Sequence, residues 1–108
     1  MFDLKHHFYA IHELRTLTQD TYKKAQQENT PEAWMVFKFI ESEYLRFCDT
    51  GRRYLDSIPD PKMALALRLH YINGLNWRET ALQMGDTRMR RQCRDFLRKA
   101  GRKNAWLL

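Results

Sequence analysis

The sequence predicts an all-α protein, built from a long N-terminal helical hairpin and a C-terminal domain of three shorter helices. Apolar residues recur at intervals of three and four over most of the 108 residues, which is the spacing of one helix face. No segment of four or more residues alternates apolar and polar side chains between turn residues, as a half-buried strand would. The four glycines and three prolines are too few for a disordered or collagen-like chain.

The first two helices are expected from about residue 3 to residue 28 and from Pro31 onward. The buried face of the first is predicted to consist of Phe2 or Leu4, Phe8, Ile11, Leu14, Thr18, Tyr22 and Ala25. The second helix begins at Pro31 because Thr30 is a suitable N-cap and proline fits the first helical position, where no N–H is needed. Its apolar period continues to Leu55, and Gly51 is a point where the helix weakens or ends.

The two helices are predicted to form an antiparallel hairpin over residues 1–57, which supports the rest of the chain or makes a dimer. Its aromatic residues offer more surface than one hairpin readily hides, and they are Phe2, Phe8, Trp34, Phe37, Phe39, Tyr44 and Phe47. A homodimer is therefore one candidate assembly.

Residues 57 to 61 mark a boundary, because Pro59 and Pro61 cannot both lie inside a helix and both favour extended geometry in the residue before them. The second domain is then residues 58–108. Asp60 is expected to cap its first helix, which ends at Gly74. The apolar face of that helix is predicted to be Leu65, Leu69 and Ile72.

A short helix and a final helix follow, joined by a turn that contains Gly85. Asn76 and Glu79 have the spacing of a capping box, which starts a helix. The buried stripe of the short helix is predicted to be Trp77, Ala81 and Met84. The final helix, over about residues 87 to 103, has an apolar side formed by Met89, Cys93, Phe96, Leu97 and Ala100. This arrangement matches a helix-turn-helix, in which the first helix braces and the second enters a DNA groove.

The positive charge lies almost wholly in this last segment. The chain carries 19 basic and 13 acidic residues, of which residues 1–87 hold 11 and 12. The last 21 residues hold eight basic residues and one acidic residue, Asp95. Six of the eight are arginine, which forms bidentate hydrogen bonds with phosphate and with guanine edges. The pattern favours a polyanionic partner, with a solvated helix face or a disordered arm as the alternative.

Residues 66 to 85 resemble the fourth conserved region of bacterial sigma factors. They are more similar still to small sigma-like regulators of phages and integrative elements, through the stretch His-Tyr-Ile-Asn-Gly-Leu-Asn-Trp that ends at Trp77 and the closing Asp-Phe-Leu that ends at Leu97. The resemblance covers roughly residues 58 to 100. It implies sequence-specific binding of double-stranded DNA and the regulation of phage or mobile-element genes.

The chain departs from those regulators at the start of the final helix. Only Arg88 stands between Thr87 and Met89, where such regulators often have about two more residues. The departure implies a recognition helix that starts differently or is shorter by half a turn. No second module that opens promoter DNA is recognisable, so the resemblance does not imply a sigma factor, although RNA polymerase is a candidate partner.

In a helix docked in the major groove, residues near its N-terminus approach base edges and residues further along meet phosphates. The candidates for base reading are Arg88, Arg91 and Gln92, with Arg94 and Asp95 as further candidates. The candidates for phosphate contact are Arg78, Arg90, Arg98, Lys99 and Arg102. Trp77 is interpreted as a core residue and not as a base-stacking residue.

Several other classes are not indicated. The chain lacks a P-loop, a GxGxxG and a GxSxG motif, so we expect no enzyme activity and no cofactor. The spacing of His6, His7 and His12 does not place two imidazoles four residues apart, so no metal site is expected. Cys48 and Cys93 are expected to be reduced core thiols. The longest apolar runs have five residues and no secretory signal is recognisable, which predicts a cytoplasmic protein without a membrane partner.

Two other functions stay open at this point. The same module is compatible with the small DNA-recognition subunit of a phage packaging machine, which a ring-like oligomer would favour. The basic helix is also compatible with binding an acidic protein partner. Reversing the charges of Arg88, Arg91 and Arg94 separates these functions. DNA affinity would be lost in a regulator or a packaging subunit, and it would be unchanged in a module that binds an acidic protein.

Overall fold

The computed structural model describes residues 3–103, with the side chains of residues 3–99. Its helices are α1 (Leu4–Glu28), α2 (Pro31–Asp56), α3 (Pro61–Leu67), α4 (Trp77–Met84) and α5 (Met89–Lys103), and a π-helical segment, Arg68–Ile72, continues α3 directly. The predicted all-α class is confirmed for this part of the chain. Phe2, Ala100 and Arg102, to which the sequence analysis assigned packing or phosphate contact, lie outside the described side chains.

The hairpin of α1 and α2 is defined by the capping residues at its ends. Asp3 caps α1, and its carboxylate accepts hydrogen bonds from the main-chain N–H groups of Lys5 and His6. Asn29 takes a left-handed conformation with φ 50° and ends α1. The Thr30 hydroxyl then accepts a hydrogen bond from the Ala33 N–H at 3.2 Å, as predicted for an N-cap. Two helices of 25 and 26 residues are thereby joined by a short turn.

Gly51 is a close-packing position in the middle of continuous helix, and the expectation that it weakens or ends α2 is wrong. The helix runs on to Asp56, and Gly51 is buried. A Cβ at this position would lie 2.9 Å from Cδ1 of Ile72 and 3.2 Å from Cδ1 of Ile11. Glycine therefore lets α2 approach its neighbours closely, and that packing offsets its low helix propensity.

The hydrophobic core is shared between the hairpin and the C-terminal segment. Phe8 on α1 is buried, and its ring stacks on that of Tyr71 with centroids 4.5 Å apart. Met89, Cys93 and Leu97 on α5 belong to the same cluster as Leu4, Phe8, Ile11, Cys48, Leu55, Ile58, Met63, Ala66, Leu67 and Ile72. The hairpin thus forms one wall of the core against which α5 is fixed.

The aromatic surface of the hairpin is largely covered within the chain itself. Phe37 is buried, and its ring meets those of Tyr22 and Trp34 edge to face at 5.2 and 5.9 Å. Tyr44 and Phe47 are half-buried against the shared core. Phe39 stays 65% exposed. The exposed aromatic surface of the hairpin is therefore smaller than its composition predicted, because the C-terminal segment covers part of that surface.

The π-helical segment after α3 places residues that are five positions apart in the same core. The Asn73 N–H donates to the carbonyl of Arg68, five residues back, at 2.9 Å. Leu67 and Ile72, also five residues apart, are both buried. Leu65 is 47% exposed, so its predicted place in the apolar face is wrong. The buried side of α3 is instead formed by Met63, Ala66 and Leu67, and Leu65 lies away from it.

The short helix α4 buries a polar residue instead of the predicted apolar stripe. Thr80 is fully buried, and its hydroxyl donates to the carbonyl of Asn76 at 2.9 Å. Trp77, Ala81 and Met84 are half-buried. Trp77 packs against the core with its ring stacked on that of His70, and its interpretation as a packing residue is confirmed. The helix has only eight residues and lies at the edge of the core, so its apolar side chains are covered only in part.

Candidate functional site

The segment from α4 to α5 has the geometry of two helices joined by a tight turn. Asn76 and Glu79 form the predicted capping box, in which each side chain bonds the main-chain N–H of the other at 2.8 and 3.0 Å. Gly85 ends α4 with φ 66°, a left-handed conformation that favours glycine. α5 begins at Met89, later than the expected start at about residue 87.

The turn into α5 is organised around the carboxylate of Asp86. It accepts hydrogen bonds from the Arg88 N–H at 2.9 Å and from the Arg88 side chain at 3.2 and 3.3 Å. Nζ of Lys62, on α3, donates to Oδ2 of Asp86 at 2.8 Å, and Nη2 of Arg88 donates to the same oxygen. The Arg88 and Lys62 hydrogen bonds hold the pKa of Asp86 well below its usual range. One carboxylate therefore ties α3, the turn and the start of α5 together.

α5 is fixed to the core through one buried side. Met89, Cys93 and Leu97 recur at four-residue intervals, and all three are buried. Burial raises the pKa of the Cys93 thiol to about 11, so the thiol is protonated at neutral pH. Cys48 is also buried and free, which confirms the prediction for both cysteines. The core contact fixes which side of α5 faces outward.

The outward side of α5 is cationic. Arg90, Arg91, Arg94 and Lys99 are exposed. Among residues 3–99, none of these four side chains has a hydrogen bond or ion pair with another side chain. Their charges are therefore available to a partner. Such a row of uncompensated guanidinium groups on a rigid helix suits phosphate and base-edge contacts.

The other predicted contact residues of this helix are less available. Arg88 precedes the first residue of α5, and its guanidinium is paired with Asp86. Asp95 is paired with Arg98, Oδ1 to Nη2, at 3.3 Å. Gln92 is half-buried. The structure thus separates Arg91 and Arg94, which have no side-chain partner among residues 3–99, from three candidates whose side chains are paired or partly buried.

A groove of about 470 Å³ lies between α4 and the start of α5. Arg78 and Arg90, two predicted phosphate contacts, line it from opposite helices. Leu82, also in its lining, is 75% exposed. The sequence analysis did not find this groove, because it exists only where the Gly85 turn brings the two helices together.

A second cleft, of about 580 Å³, lies between α1 and the loop that joins the π-helical segment to α4. We refer to it as the junction cleft. Its lining consists of Lys5, His6, Phe8, Tyr9, His12, Arg15, Thr16, Gln19, His70, Tyr71, Gly74, Leu75 and Asn76. The cleft was not predicted from the sequence. One sequence feature could have indicated it, namely the recurrence of polar and basic residues at positions 5, 12, 15 and 19, on one side of α1.

His70 lines the junction cleft, and its ring stacks on that of Trp77, which lines the groove between α4 and α5. Its Nδ1 lies 2.7 Å from the carbonyl of Leu75, which only accepts, so this nitrogen carries the hydrogen. Burial lowers the pKa of His70, and the charges of Arg15, His12 and Arg90 lower it further, against the effect of the carbonyl. Arg90 on α5 and Arg15 on α1 thus both act on one imidazole.

Within the described residues, no group of three or more His, Cys, Asp or Glu side chains is placed to hold a metal ion. Over the same range, no helix is long and apolar enough to cross a membrane. Comparisons with models of protein families, with curated proteins and with solved structures found no match.

Proposed function

We propose that this protein binds double-stranded DNA through α5 and acts as a sequence-specific transcriptional regulator. The observation that carries the proposal is the division of α5 into a side locked in the core and a side of free arginines. Met89, Cys93 and Leu97 fix the helix, while Arg91 and Arg94 project with no partner among the described side chains. A braced, cationic helix of 15 residues suits the major groove.

The contacts divide by their position around the turn. Arg91 and Arg94, near the start of α5, are the proposed base-reading residues, because bidentate arginine to guanine is the commonest specific contact. Arg78 and Arg90 flank the groove between α4 and α5 and are the proposed phosphate contacts. Arg88 acts through the Asp86 pair, which orients its guanidinium at the edge of the helix.

The proposed biological setting is a phage or mobile element. It rests on the residues from His70 to Trp77 and from Asp95 to Leu97, which resemble small sigma-like regulators. RNA polymerase is a candidate protein partner for such a role. We propose no catalytic activity.

The experiment begins with selection of bound sequences from random duplexes, followed by affinity measurements on the enriched site. Arg91→Gln/Arg94→Gln should weaken binding at least about tenfold, since each good base contact contributes about 1–3 kcal/mol of discrimination. The matched control is Lys38→Gln/Arg52→Gln, which removes two exposed charges from the hairpin and should change the affinity about twofold or less.

Salt dependence tests the phosphate contacts separately. Arg78→Gln and Arg90→Gln should each reduce the slope of log affinity against log salt by about 1, with little change in the selected sequence. An enriched palindrome would show that two copies bind, and an asymmetric site would show that one copy does. Unchanged DNA affinity in the folded Arg91→Gln/Arg94→Gln protein would refute the proposal and favour an acidic protein partner.

A packaging role makes a different prediction for the same protein. A DNA-recognition subunit of a packaging machine would assemble as a ring, which light scattering detects. A small complex with DNA supports the regulator, and a ring-like oligomer supports the packaging subunit.

A further inference from the structure

The junction cleft has a cationic lining that nothing in the proposed DNA contact requires. Lys5 and Arg15 on α1 supply its positive charges, and the imidazoles of His6, His12 and His70 line it as well. No Asp or Glu belongs to the lining, although Asp3 at the start of α1 pairs with His6. The cleft is therefore electrostatically complementary to an anion.

The Arg15 guanidinium is held in place by hydrogen bonds to α2 and to the π-helical segment. Nε of Arg15 donates to the Tyr44 hydroxyl at 3.1 Å, and one terminal nitrogen donates to the carbonyls of Tyr71 and Ile72. Its other terminal nitrogen has no hydrogen-bond partner among the described residues. Gly74, with φ 79°, allows this contact, since a Cβ there would lie 3.3 Å from Cζ of Arg15. A preorganised guanidinium loses little freedom when it binds a carboxylate.

Aromatic rings supply the rest of the binding surface. Tyr71 is half-buried and lines the cleft, with its ring stacked on the ring of Phe8, which is buried in the core. Tyr9 lines it as well and is 65% exposed. An exposed tyrosine beside a stacked aromatic pair offers a face for a planar apolar group. A volume of about 580 Å³ lies within the range of small-molecule sites.

We infer that the junction cleft binds a small organic anion with a planar aromatic body, of the class of aromatic carboxylates. Its carboxylate meets the fixed guanidinium of Arg15, and its ring packs against Tyr9 and Tyr71. Lys5, which lines the same cleft four residues before Tyr9, adds positive charge that attracts the anion. The ligand would bridge α1 and the loop before α4, and so would join the hairpin to the helix-turn-helix. This inference does not depend on DNA binding.

The test uses 1-naphthoate as the probe on the full chain without DNA. Titration is followed by calorimetry and by the imidazole NMR signals of His70 and His12, which report binding at the cleft itself. We expect a dissociation constant below about 1 mM, the affinity scale of a ligand with about 13 heavy atoms. The neutral isostere 1-naphthamide should bind at least about tenfold more weakly, because it lacks the negative charge that Arg15 binds and Lys5 attracts.

Variants locate the site. Lys5→Gln should weaken naphthoate binding several-fold, and Tyr9→Ala should do the same through the ring contact. Both residues are exposed, so neither substitution disturbs the core. Lys23→Gln, an exposed change on the same helix beyond the cleft, is the matched control and should leave the affinity unchanged.

Three results would overturn the inference. Naphthamide binding as tightly as naphthoate would remove the role of the charge. Inorganic phosphate shifting the His70 and His12 signals as strongly as naphthoate would indicate a general response to anions. Equal losses for Lys5→Gln and Lys23→Gln would indicate attraction to the net charge of the chain. Each of these outcomes leaves the DNA proposal untouched, because no DNA is present.

Discussion

The Arg15 guanidinium donates a hydrogen bond to the main-chain carbonyl of Tyr71 at 2.9 Å, across 56 positions of the sequence. The same nitrogen reaches the carbonyl of Ile72 at 3.0 Å. These carbonyls end the π-helical segment, where the next turn of helix offers no donor. A side chain of the hairpin thus satisfies the last carbonyls of the π-helical segment, which leads into α4.

Replacing Arg15 should loosen the junction between hairpin and C-terminal segment. Arg15→Gln removes a charged donor from two half-buried carbonyls, and we expect the free energy of unfolding to fall by about 2–3 kcal/mol. Urea unfolding measures the change. Arg15→Lys should recover part of the loss because one ammonium can still donate. A loss as small as that of the exposed control Arg52→Gln would contradict the assigned role.

Gly51 should tolerate one methyl group and no more. The atoms that a Cβ would meet are the ends of the Ile72 and Ile11 side chains, which can shift. We expect Gly51→Ala to change the free energy of unfolding by less than about 1 kcal/mol, since the gain in helix propensity offsets the crowding. Gly51→Val should cost about 1–3 kcal/mol by overpacking. Equal stability of the two variants would show that the approach of α2 to Ile72 is not tight.

Asp86 should make the turn before α5 sensitive to acid. Its pKa is held below the ordinary range in the folded chain, so its stabilising effect is present above about pH 4 and is lost as the pH falls below that value. Asp86→Asn keeps an acceptor for the Arg88 N–H and removes the charge that faces Lys62. The variant should therefore be less stable than the natural chain at pH 7, and the difference should shrink toward pH 2.

The exposed pair of Arg53 and Asp49, at 2.7 Å, provides the control for Asp86. Asp49→Asn should have a small effect at any pH, as expected of a surface ion pair. If Asp86→Asn and Asp49→Asn gave the same profile of unfolding midpoint against pH, the network around Asp86 would have no special role in stability.

His70 should affect the stability of the fold in a higher pH range than Asp86 does. Its pKa is lowered in the folded chain, by burial first and then by Arg15, His12 and Arg90. The unfolded chain therefore takes up a proton that the folded chain does not as the pH falls below about 6.5, so stability is lost in that direction and is full above it.

His70→Phe isolates this effect, because phenylalanine keeps a ring against Trp77 and cannot titrate. The variant loses the hydrogen bond to Leu75 and should be less stable at pH 8. Its unfolding midpoint in urea should nevertheless fall less than that of the natural chain between pH 8 and pH 5. Equal slopes for the two proteins would show that His70 does not titrate differently on folding.

Local chemistry made the helix boundaries predictable. Thr30 with Pro31, Asp60 with Pro61, and Asn76 with Glu79 each cap a helix in the structure, because capping depends on residues within one turn of each other. The four-residue recurrence of Met89, Cys93 and Leu97 predicted the buried side of α5 for the same reason. The all-α class and the cationic helix face thus follow from short-range patterns.

Long-range contacts decided the rest. Residue spacing alone did not show the pairing of Lys62 with Asp86, the approach of Gly51 to Ile72, or the hydrogen bond from Arg15 to Tyr71. Each of these contacts joins residues that are distant along the chain and meet only when the helices have packed. The sequence by itself determined which segments are helical and where the charge lies. Tertiary packing decided where the groove between α4 and α5 and the junction cleft open, because both are lined by residues that are distant along the chain or lie on different helices.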